Sequence, residues 1–188
     1  MIIAITGGIG SGKSVVSRVL THMDYPVYDC DAEAKRLMHT SPHVRALLVE
    51  QFGAETFSDG VLNTQHLSAV AFSSPEALAR LNAIVHPAVK QDMLVWAERQ
   101  GGAAFVETAI PYSSGLDKAV DAIWRVTAPV ELRIARVMAR NGLAREQVEA
   151  RIASQRAEEE VRRAEVILLN DGTTALVPQI IDKLQLLK

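Results

Sequence analysis

A glycine-rich segment directly after a short apolar run constrains this chain more than any other feature. The run Ile2–Thr6 is rich in β-branched residues, which is typical of a strand covered on both faces. The next segment, GGIGSGKS at residues 7–14, fits the pattern G-x-x-x-x-G-K-[ST]. Its glycines let backbone N–H groups wrap phosphate oxygens, and the helix expected from Lys13 adds the positive end of its dipole. The sequence therefore predicts a phosphate-binding loop between a strand and a helix.

Two side chains of this loop have expected tasks, but the loop does not name the reaction. Lys13 is expected to reach the β and γ phosphates of a nucleotide, and the Ser14 hydroxyl to ligate Mg²⁺. Kinases, GTPases and ATP-driven machines all use such loops. The chain has no N-K-x-D segment to read guanine, and its third strand ends in the single acid Glu107 rather than in adjacent acids. These absences favour a kinase over a GTPase or an ATP-driven motor.

Composition excludes several other classes of protein. A chain of 188 residues with a formal net charge of -2 fits one domain and has no basic excess for nucleic acid or a membrane surface. No apolar run approaches the ~18 residues of a membrane span, and the start lacks the features of a signal peptide. The expected location is the cytoplasm. The single cysteine, Cys30, excludes a disulfide framework and a cysteine-based zinc site, and is expected to be a reduced, half-buried core thiol.

Strands and helices are predicted to alternate along the chain. Further strands are predicted at residues 26–30, 103–107, 122–127 and 166–169. Helices are predicted at residues 13–22, 129–141, 144–163 and 173–187, with Pro129 in the first turn of its helix. From about residue 32 to 100 the pattern is mainly helical, with interruptions at Ser41-Pro42, Asp59-Gly60, Ser74-Pro75 and His86-Pro87. This order predicts a parallel sheet wound on both faces, with ligands beyond the carboxyl ends of its strands.

Two aspartates follow the second predicted strand, at the same sheet edge as the phosphate loop. The carboxylate of Asp29 or of Asp31 could accept the proton of a substrate hydroxyl during phosphoryl transfer. Their i, i+2 spacing hardly separates them, because both face the same way if the strand persists. Either could instead cap the helix that follows. Both assignments stay open.

Three arginines recur in the helix predicted after the fourth strand. Arg133, Arg136 and Arg140 are spaced i, i+3 and i+7, which places them along one helix face. Guanidinium groups stabilise the charge on a transferring phosphoryl group, and a segment that carries them can close over it. The alternative is a solvated basic face. The alignment of three arginines favours a lid.

Five segments, taken in order, resemble the dephospho-coenzyme A kinase family and cover nearly the whole chain. They are ITGGIGSGKS, YDCDAEAK, LNAIVHP, RVMARNG with ARIASQ, and AEVILLNDG. The resemblance implies an α/β fold similar to adenylate kinase: a P-loop three-layer sandwich with a five-stranded parallel sheet. It implies a single domain in which a core (1–31, 101–128 and 164–188) carries a helical substrate-binding insertion (32–100) and a helical lid (129–163). The implied reaction transfers phosphate from Mg²⁺-ATP to the ribose 3′-hydroxyl of dephospho-CoA, the last step of coenzyme A synthesis.

The resemblance also assigns residues. The implied catalytic residues are Asp31 as the base, Lys13, and Arg140 as the lid arginine. Contacts to ATP fall on Gly8, Ile9, Gly10, Ser11, Gly12, Lys13, Ser14, Val15, Arg136 and Asn170, with Ser14 on the metal. Contacts to dephospho-CoA fall on Thr6, Asp31, His86, Ile110 and Arg140. The expected partner is the small-molecule substrate, with no nucleic acid or membrane, for a monomer or weak homo-oligomer.

The match is incomplete after the third strand. Ser113 and Ser114 stand where the family carries a glutamate, so Glu107 is the acid left to serve the Mg²⁺ or its water shell. Taken on residue chemistry alone, His86 is a structural histidine before a proline, and Asn170 is a turn residue. Two other functions are compatible with the motifs. One is a related kinase of a nucleoside, a nucleotide or another small metabolite, and the other is a nucleotide-gated binding switch.

Overall fold

The computed structural model describes residues 1–159 and 166–187. These residues form two compact units. One comprises Met1–Tyr28 and the described part of Ala97–Lys188, and the other is Asp29–Trp96. Among the described residues, no helix combines the length and the apolar character that a membrane span requires.

Seven strands and nine α-helices lie within residues 1–159 and 166–187. The strands are β1 (Ile2–Thr6), β2 (Val27–Asp29), β3 (Phe57–Ser58), β4 (Val61–Leu62), β5 (Ala104–Glu107), β6 (Ala122–Thr127) and β7 (Val166–Leu169). The helices are α1 (Lys13–His22), α2 (Cys30–Thr40), α3 (Pro42–Phe52), α4 (Thr64–Ala71), α5 (Pro75–Glu98), α6 (Val130–Asn141), α7 (Arg145–Ser154), α8 (Arg156–Glu159) and α9 (Leu176–Gln185).

Five of the strands form one sheet, in the order β2-β5-β1-β6-β7. Strand β1 lies at its centre and pairs in parallel with β5 and β6, and β6 pairs in parallel with β7. In this register Ile5 is opposite Glu107, and Thr127 is opposite Leu169, so the carboxyl ends of these strands share one edge. The five-stranded parallel sheet predicted from the sequence is confirmed. A loop that follows β1 therefore begins in the middle of that edge.

Helices α1 and α9 pack against one face of this sheet, where its strands carry large apolar side chains. Ile3, Ile5, Phe105 and Trp124 are fully buried or nearly so, and they pack with residues of α1 and α9 in one cluster. The Phe105 ring meets the Trp124 ring edge-on, with 5.2 Å between the ring centroids. Each such side chain contributes about 1.5–3 kcal/mol by burial, so this cluster fixes the central strands that hold the loop.

The unit Asp29–Trp96 is helical, as its pattern predicts, but it also contains a short hairpin of β3 and β4 that the pattern did not predict. Asp59 and Gly60 form its two-residue turn with φ of 49° and 79°, which is the backbone of a type I′ turn. A buried cluster that includes Leu48, Phe52 and Leu67 packs beneath the hairpin. Because each strand has only two residues, no alternation marks them in the sequence.

The expected interruption at His86-Pro87 was wrong. Helix α5 runs from Pro75 to Glu98 with Pro87 inside it. Pro87 is exposed, whereas its neighbours Ile84, Val85 and Val89 are buried. A proline removes one backbone hydrogen bond, and here the burial of the flanking residues outweighs that loss.

Several predicted boundaries differ from the structure by one to three residues, among them those of β2, β5, α6 and α9. Strand β2 ends at Asp29 instead of residue 30, because the Asp29 side chain caps α2 and Cys30 begins that helix. Pro129 is the cap of α6 and not its first residue. Helix α9 begins at Leu176 instead of residue 173. Cys30 forms no disulfide, and it is buried rather than half-buried.

The long helix predicted at residues 144–163 is interrupted at Gln155, between α7 and α8. The rest of that prediction, residues 160–163, lies outside the described residues, as do residues 164, 165 and 188 of the predicted core. The predicted bounds of α1 and β6 are confirmed, and α6 differs from its prediction only at Pro129.

Candidate active site

The loop between β1 and α1 is shaped by close approaches that only glycine permits. Gly12 caps α1 with φ of 101°, and a Cβ there would collide with the side-chain amide of Asn170. Gly10 has φ of 79°, and its Cβ would lie 2.6 Å from the carbonyl oxygen of Arg133. The loop is thus enclosed by α6 on one side and by the segment after β7 on the other.

Two buried hydroxyls at this loop fit an anion. The Oγ1 of Thr6 and the Oγ of Ser11 are buried and have no hydrogen-bond partner among the described residues. No side chain of the described residues caps the start of helix α1, and the first turn of this helix has no acidic residue. Buried polar atoms normally have partners, and a helix N-terminus attracts anions. A phosphate bound in this loop would supply what both features lack.

Lys13 and Ser14 begin α1 at this loop. The ammonium of Lys13 is half-buried and donates to the carbonyl oxygen of Gly7 at 2.7 Å, which holds the side chain back along the loop. Ser14 and Val15 are exposed. Within residues 1–159 and 166–187, no cluster of three or more histidine, cysteine or acidic side chains could hold a metal ion. The exposed Ser14 hydroxyl is a hard oxygen donor of the kind Mg²⁺ prefers, so a cation held jointly with phosphate oxygens fits this site.

Asn170 and Arg136 connect the loop to the end of β7. The amide of Asn170 donates to the carbonyl oxygen of Ser11 at 2.8 Å, and its backbone N–H donates to Thr127 at 2.8 Å. Arg136 donates to the backbone oxygen of Asn170 at 3.0 Å and to its side-chain oxygen at 3.3 Å. The sequence marked Asn170 as a turn residue, and the network gives it a definite place beside the loop.

The turn after Asn170 is held by Asp171. The backbone N–H groups of Thr174 and Thr173 donate to its carboxylate at 2.7 and 2.9 Å. These bonds hold the pKa of Asp171 well below its usual range. They also explain why α9 starts later than predicted, since residues 173 and 174 are used in the turn.

The three aligned arginines of α6 have different environments. Arg133 is buried, with 5% of its surface exposed, and Arg136 is half-buried; both donate to backbone oxygens of the loop. Arg140 is exposed, and its Nε donates to the side-chain oxygen of Asn141 at 2.9 Å. The structure therefore brings two of the three to the loop and leaves the third at the exposed end of the helix.

A glutamate that the sequence did not single out binds the segment after β5. The buried carboxylate of Glu158 accepts from the backbone N–H groups of Tyr112 at 3.1 Å and Ser113 at 2.9 Å. The buried guanidinium of Arg125 donates to the backbone oxygen of Glu158 at 3.0 Å. An acidic side chain thus reaches the stretch where Ser113 and Ser114 replace the expected glutamate, but it binds backbone there. Ile110, in the same stretch, is half-buried.

The two aspartates that the sequence could not separate differ clearly in the unit Asp29–Trp96. Asp29 is the cap of α2, and its Oδ1 accepts from the N–H groups of Asp31 at 2.9 Å and Ala32 at 3.0 Å. The exposed carboxylate of Asp31, in the first turn of α2, has no hydrogen bond or ion pair to any described residue. His86 lies half-buried on α5 in the same unit. Capping is thus settled in favour of Asp29.

Comparison with known families places nearly the whole chain. The family model of dephospho-CoA kinase matches residues 1–175. The chain belongs to the dephospho-CoA kinase family. A relative from Porphyromonas gingivalis named dephospho-CoA kinase is 42% identical over 182 residues, covering 95% of this chain and 90% of its own. One from Deinococcus radiodurans, of the same name, is 42% identical over 175 residues, covering 90% of this chain and 84% of its own.

Solved structures support the fold. The crystal structure of a Thermus thermophilus protein has a TM-score of 0.83 and 33% identity, covering 99% of this chain and 96% of that one. Dephospho-CoA kinase from Campylobacter jejuni has a TM-score of 0.72 at 21% identity, covering 98% and 95% of the two chains. Shikimate kinase from Bacteroides thetaiotaomicron has a TM-score of 0.58 at 14% identity, covering 100% and 97%. The structures from Campylobacter jejuni and Bacteroides thetaiotaomicron show that this α/β fold is shared.

Proposed function

We propose that this protein transfers the γ-phosphoryl group of ATP to the ribose 3′-hydroxyl of dephospho-CoA, the last step of coenzyme A synthesis. The observation that carries the proposal is the family match across residues 1–175. The phosphate loop at the centre of the sheet edge supports it, because Thr6 and Ser11 offer buried hydroxyls without protein partners in the described residues. The proposed setting is the cytoplasm, with the protein as a monomer or weak homo-oligomer.

On the nucleotide side, we propose that residues 8–15 cradle the phosphates of ATP. Lys13 exchanges its bond to Gly7 for phosphate oxygens, and Arg136 and Asn170 flank the rest of the nucleotide. The Ser14 hydroxyl would hold Mg²⁺, with Glu107 at the end of β5 serving its water shell. Bound Mg²⁺ supplies neutralisation of charge on the phosphate oxygens.

On the acceptor side, we propose that Asp31 is the general base. It accepts the proton of the ribose 3′-hydroxyl, the hydroxyl oxygen forms a bond to the γ-phosphorus, and the bond from that phosphorus to the bridging oxygen breaks to release ADP. The exposed carboxylate of Asp31, with no partner among described residues, supports this choice over Asp29, whose Oδ1 already accepts two backbone donors. Thr6, His86, Ile110 and Arg140 are the other proposed acceptor contacts. The helical insertion of residues 32–100, most of which belongs to the unit Asp29–Trp96, is then the substrate-binding part, and residues 129–163 are the lid.

Lys13→Ala is expected to lower kcat for this transfer by about 10²–10³-fold, since it removes one charged donor to the transferring group. The fold is expected to survive, because the side chain is only half-buried. Arg18→Ala, an exposed change on the same helix, is the control and is expected to stay within about twofold of wild type. Steady-state rates and a thermal melt measure both effects. Unchanged turnover in the Lys13 variant would refute the loop assignment.

Acceptor dependence of ADP release tests the function. The purified protein is given Mg²⁺-ATP with dephospho-CoA, with adenosine, with shikimate, or with no acceptor. We expect rapid ADP release in the reaction that contains dephospho-CoA and slow release in the other three. Faster release with adenosine or shikimate would assign the chain to a related small-molecule kinase. Equal release in all four reactions would favour a nucleotide-gated switch.

A further inference from the structure

Ile9 lies at the tip of the phosphate loop, and both its backbone N–H and its carbonyl oxygen are hydrogen-bonded to side chains. The N–H of Ile9 donates to the side-chain oxygen of Gln155 at 2.7 Å. Its carbonyl oxygen accepts from the Nε of Arg133 at 2.9 Å. Gln155 lies between α7 and α8, and Arg133 lies on α6, so the loop tip is fixed from two directions by the segment between β6 and β7.

The same arginine forms a two-point ion pair with Glu159. Its Nη2 and Nη1 donate to the two carboxylate oxygens at 2.6 and 3.0 Å. The Arg133 side chain is 6% exposed and that of Glu159 is 31% exposed. A buried guanidinium needs such partners, because removing one leaves an uncompensated charge. All three of its nitrogens therefore donate to protein oxygens.

This ion pair lies directly against the loop. A Cβ placed on Gly8 would collide with the Nη2 of Arg133 and the Oε1 of Glu159. The carbonyl oxygen of Arg133 likewise faces Gly10. The backbone and side chain of one residue thus contact three successive positions of the phosphate loop, 8, 9 and 10.

We propose that Arg133 is a positioning residue for nucleotide binding: together with Glu159 and Gln155 it fixes the path of the loop at Ile9. This inference rests on the proposed function, in which residues 8–15 hold the phosphates of ATP. Arg133 acts through the loop backbone, whereas Arg136 and Arg140 are proposed to reach the substrates. A loop displaced by about 1 Å aims its N–H groups away from the phosphates, and such shifts cost up to about 10²-fold in rate.

The test compares Arg133→Lys with Arg145→Lys. Lysine keeps the charge of Arg133 but loses the Nε–H donor to Ile9 and the two-point geometry toward Glu159. We expect the Kd of Mg²⁺-ADP, measured by calorimetry without acceptor, to rise about tenfold or more. The KM for ATP is expected to rise with it, while the KM for dephospho-CoA stays within about twofold. Arg145, on α7, forms exposed ion pairs with Glu131 of α6 and Glu149 of α7. Its variant is expected to bind ADP like wild type.

A purely structural role predicts a different result. It would lower the melting temperature and the active fraction of Arg133→Lys, with the Kd and both KM values of the folded molecules unchanged. That outcome would overturn the proposal. If the lysine variant does not fold, Glu159→Gln takes its place, because it removes the counter-charge and leaves the donor to Ile9. A folded Glu159→Gln protein with wild-type Kd for ADP would equally overturn it, and a Kd raised about threefold or more supports it.

The two proposals fail separately. The Kd of ADP is measured without acceptor, so the contrast between Arg133→Lys and Arg145→Lys survives even if dephospho-CoA is not the substrate. If wild type phosphorylates dephospho-CoA but both variants bind ADP equally, only the positioning role falls.

Discussion

Asp31→Asn is expected to lower kcat by about 10²–10⁴-fold while the Kd of ATP stays within about twofold. Asparagine keeps the size of the side chain and its place in the first turn of α2, but it cannot take a proton from the acceptor hydroxyl. The carboxylate it replaces is exposed and makes no hydrogen bond or ion pair to a described residue, so the fold is expected to tolerate the change. Single-turnover rates and nucleotide titration measure the two quantities.

The matched control is Asp29→Ala, for which the opposite pattern is expected. Asp29 caps α2 through two backbone N–H groups, and losing such a cap costs about 1 kcal/mol of stability. For a chain of this length that lowers the melting temperature by about 2–4 °C. Turnover per folded molecule is expected to remain. If the Asp29 variant lost most of its kcat while Asp31→Asn stayed active, Asp29 rather than Asp31 would be the general base.

Arg140→Ala is expected to slow phosphoryl transfer by about 10³-fold, as for an arginine that stabilises charge in the transition state. Arg140 lies at the exposed end of α6, where Asn141 is its one neutral partner among the described residues, so its guanidinium can turn toward a substrate at little cost. Because the side chain is exposed, the melting temperature is expected to stay close to that of wild type.

Arg151→Ala removes an exposed arginine from α7 and is the control for this prediction. Its kcat is expected to stay within about twofold of wild type. If Arg140→Ala lowered the rate of phosphoryl transfer by less than about tenfold, the lid role would be contradicted. Arg140 would then be part of a solvated basic helix face.

The sequence predicted the parts of the fold that are built from local signals. The glycine pattern and the apolar run before it place β1, the loop and α1, and the alternation of elements predicts the parallel sheet. Local signals failed where tertiary packing decides. The two-residue strands β3 and β4 are too short to show a period, and Pro87 does not end α5 because the residues around it are buried.

The sequence predicted the phosphate loop and the aligned arginines, but not the long-range contacts that hold the loop and the segment after β5. Periodicity puts Arg133, Arg136 and Arg140 on one face, but only the position of α6 decides which of them reach the loop. Gln155 binds Ile9 across 146 positions of sequence, and Glu158 binds Ser113 across 45. No local pattern marks such pairs. Asp29 and Asp31 likewise look equivalent until the start of α2 is known.

The most direct measurement is the mass of the acceptor after reaction. The purified protein is incubated with Mg²⁺-ATP and dephospho-CoA. The molecular mass of the recovered acceptor is then determined by mass spectrometry, and ADP is measured in parallel. We expect the acceptor to become heavier by one phosphate group, with one ADP formed for each product and little ADP formed without acceptor. The assignment would be contradicted if the mass of dephospho-CoA did not change and ADP release were the same with and without this acceptor.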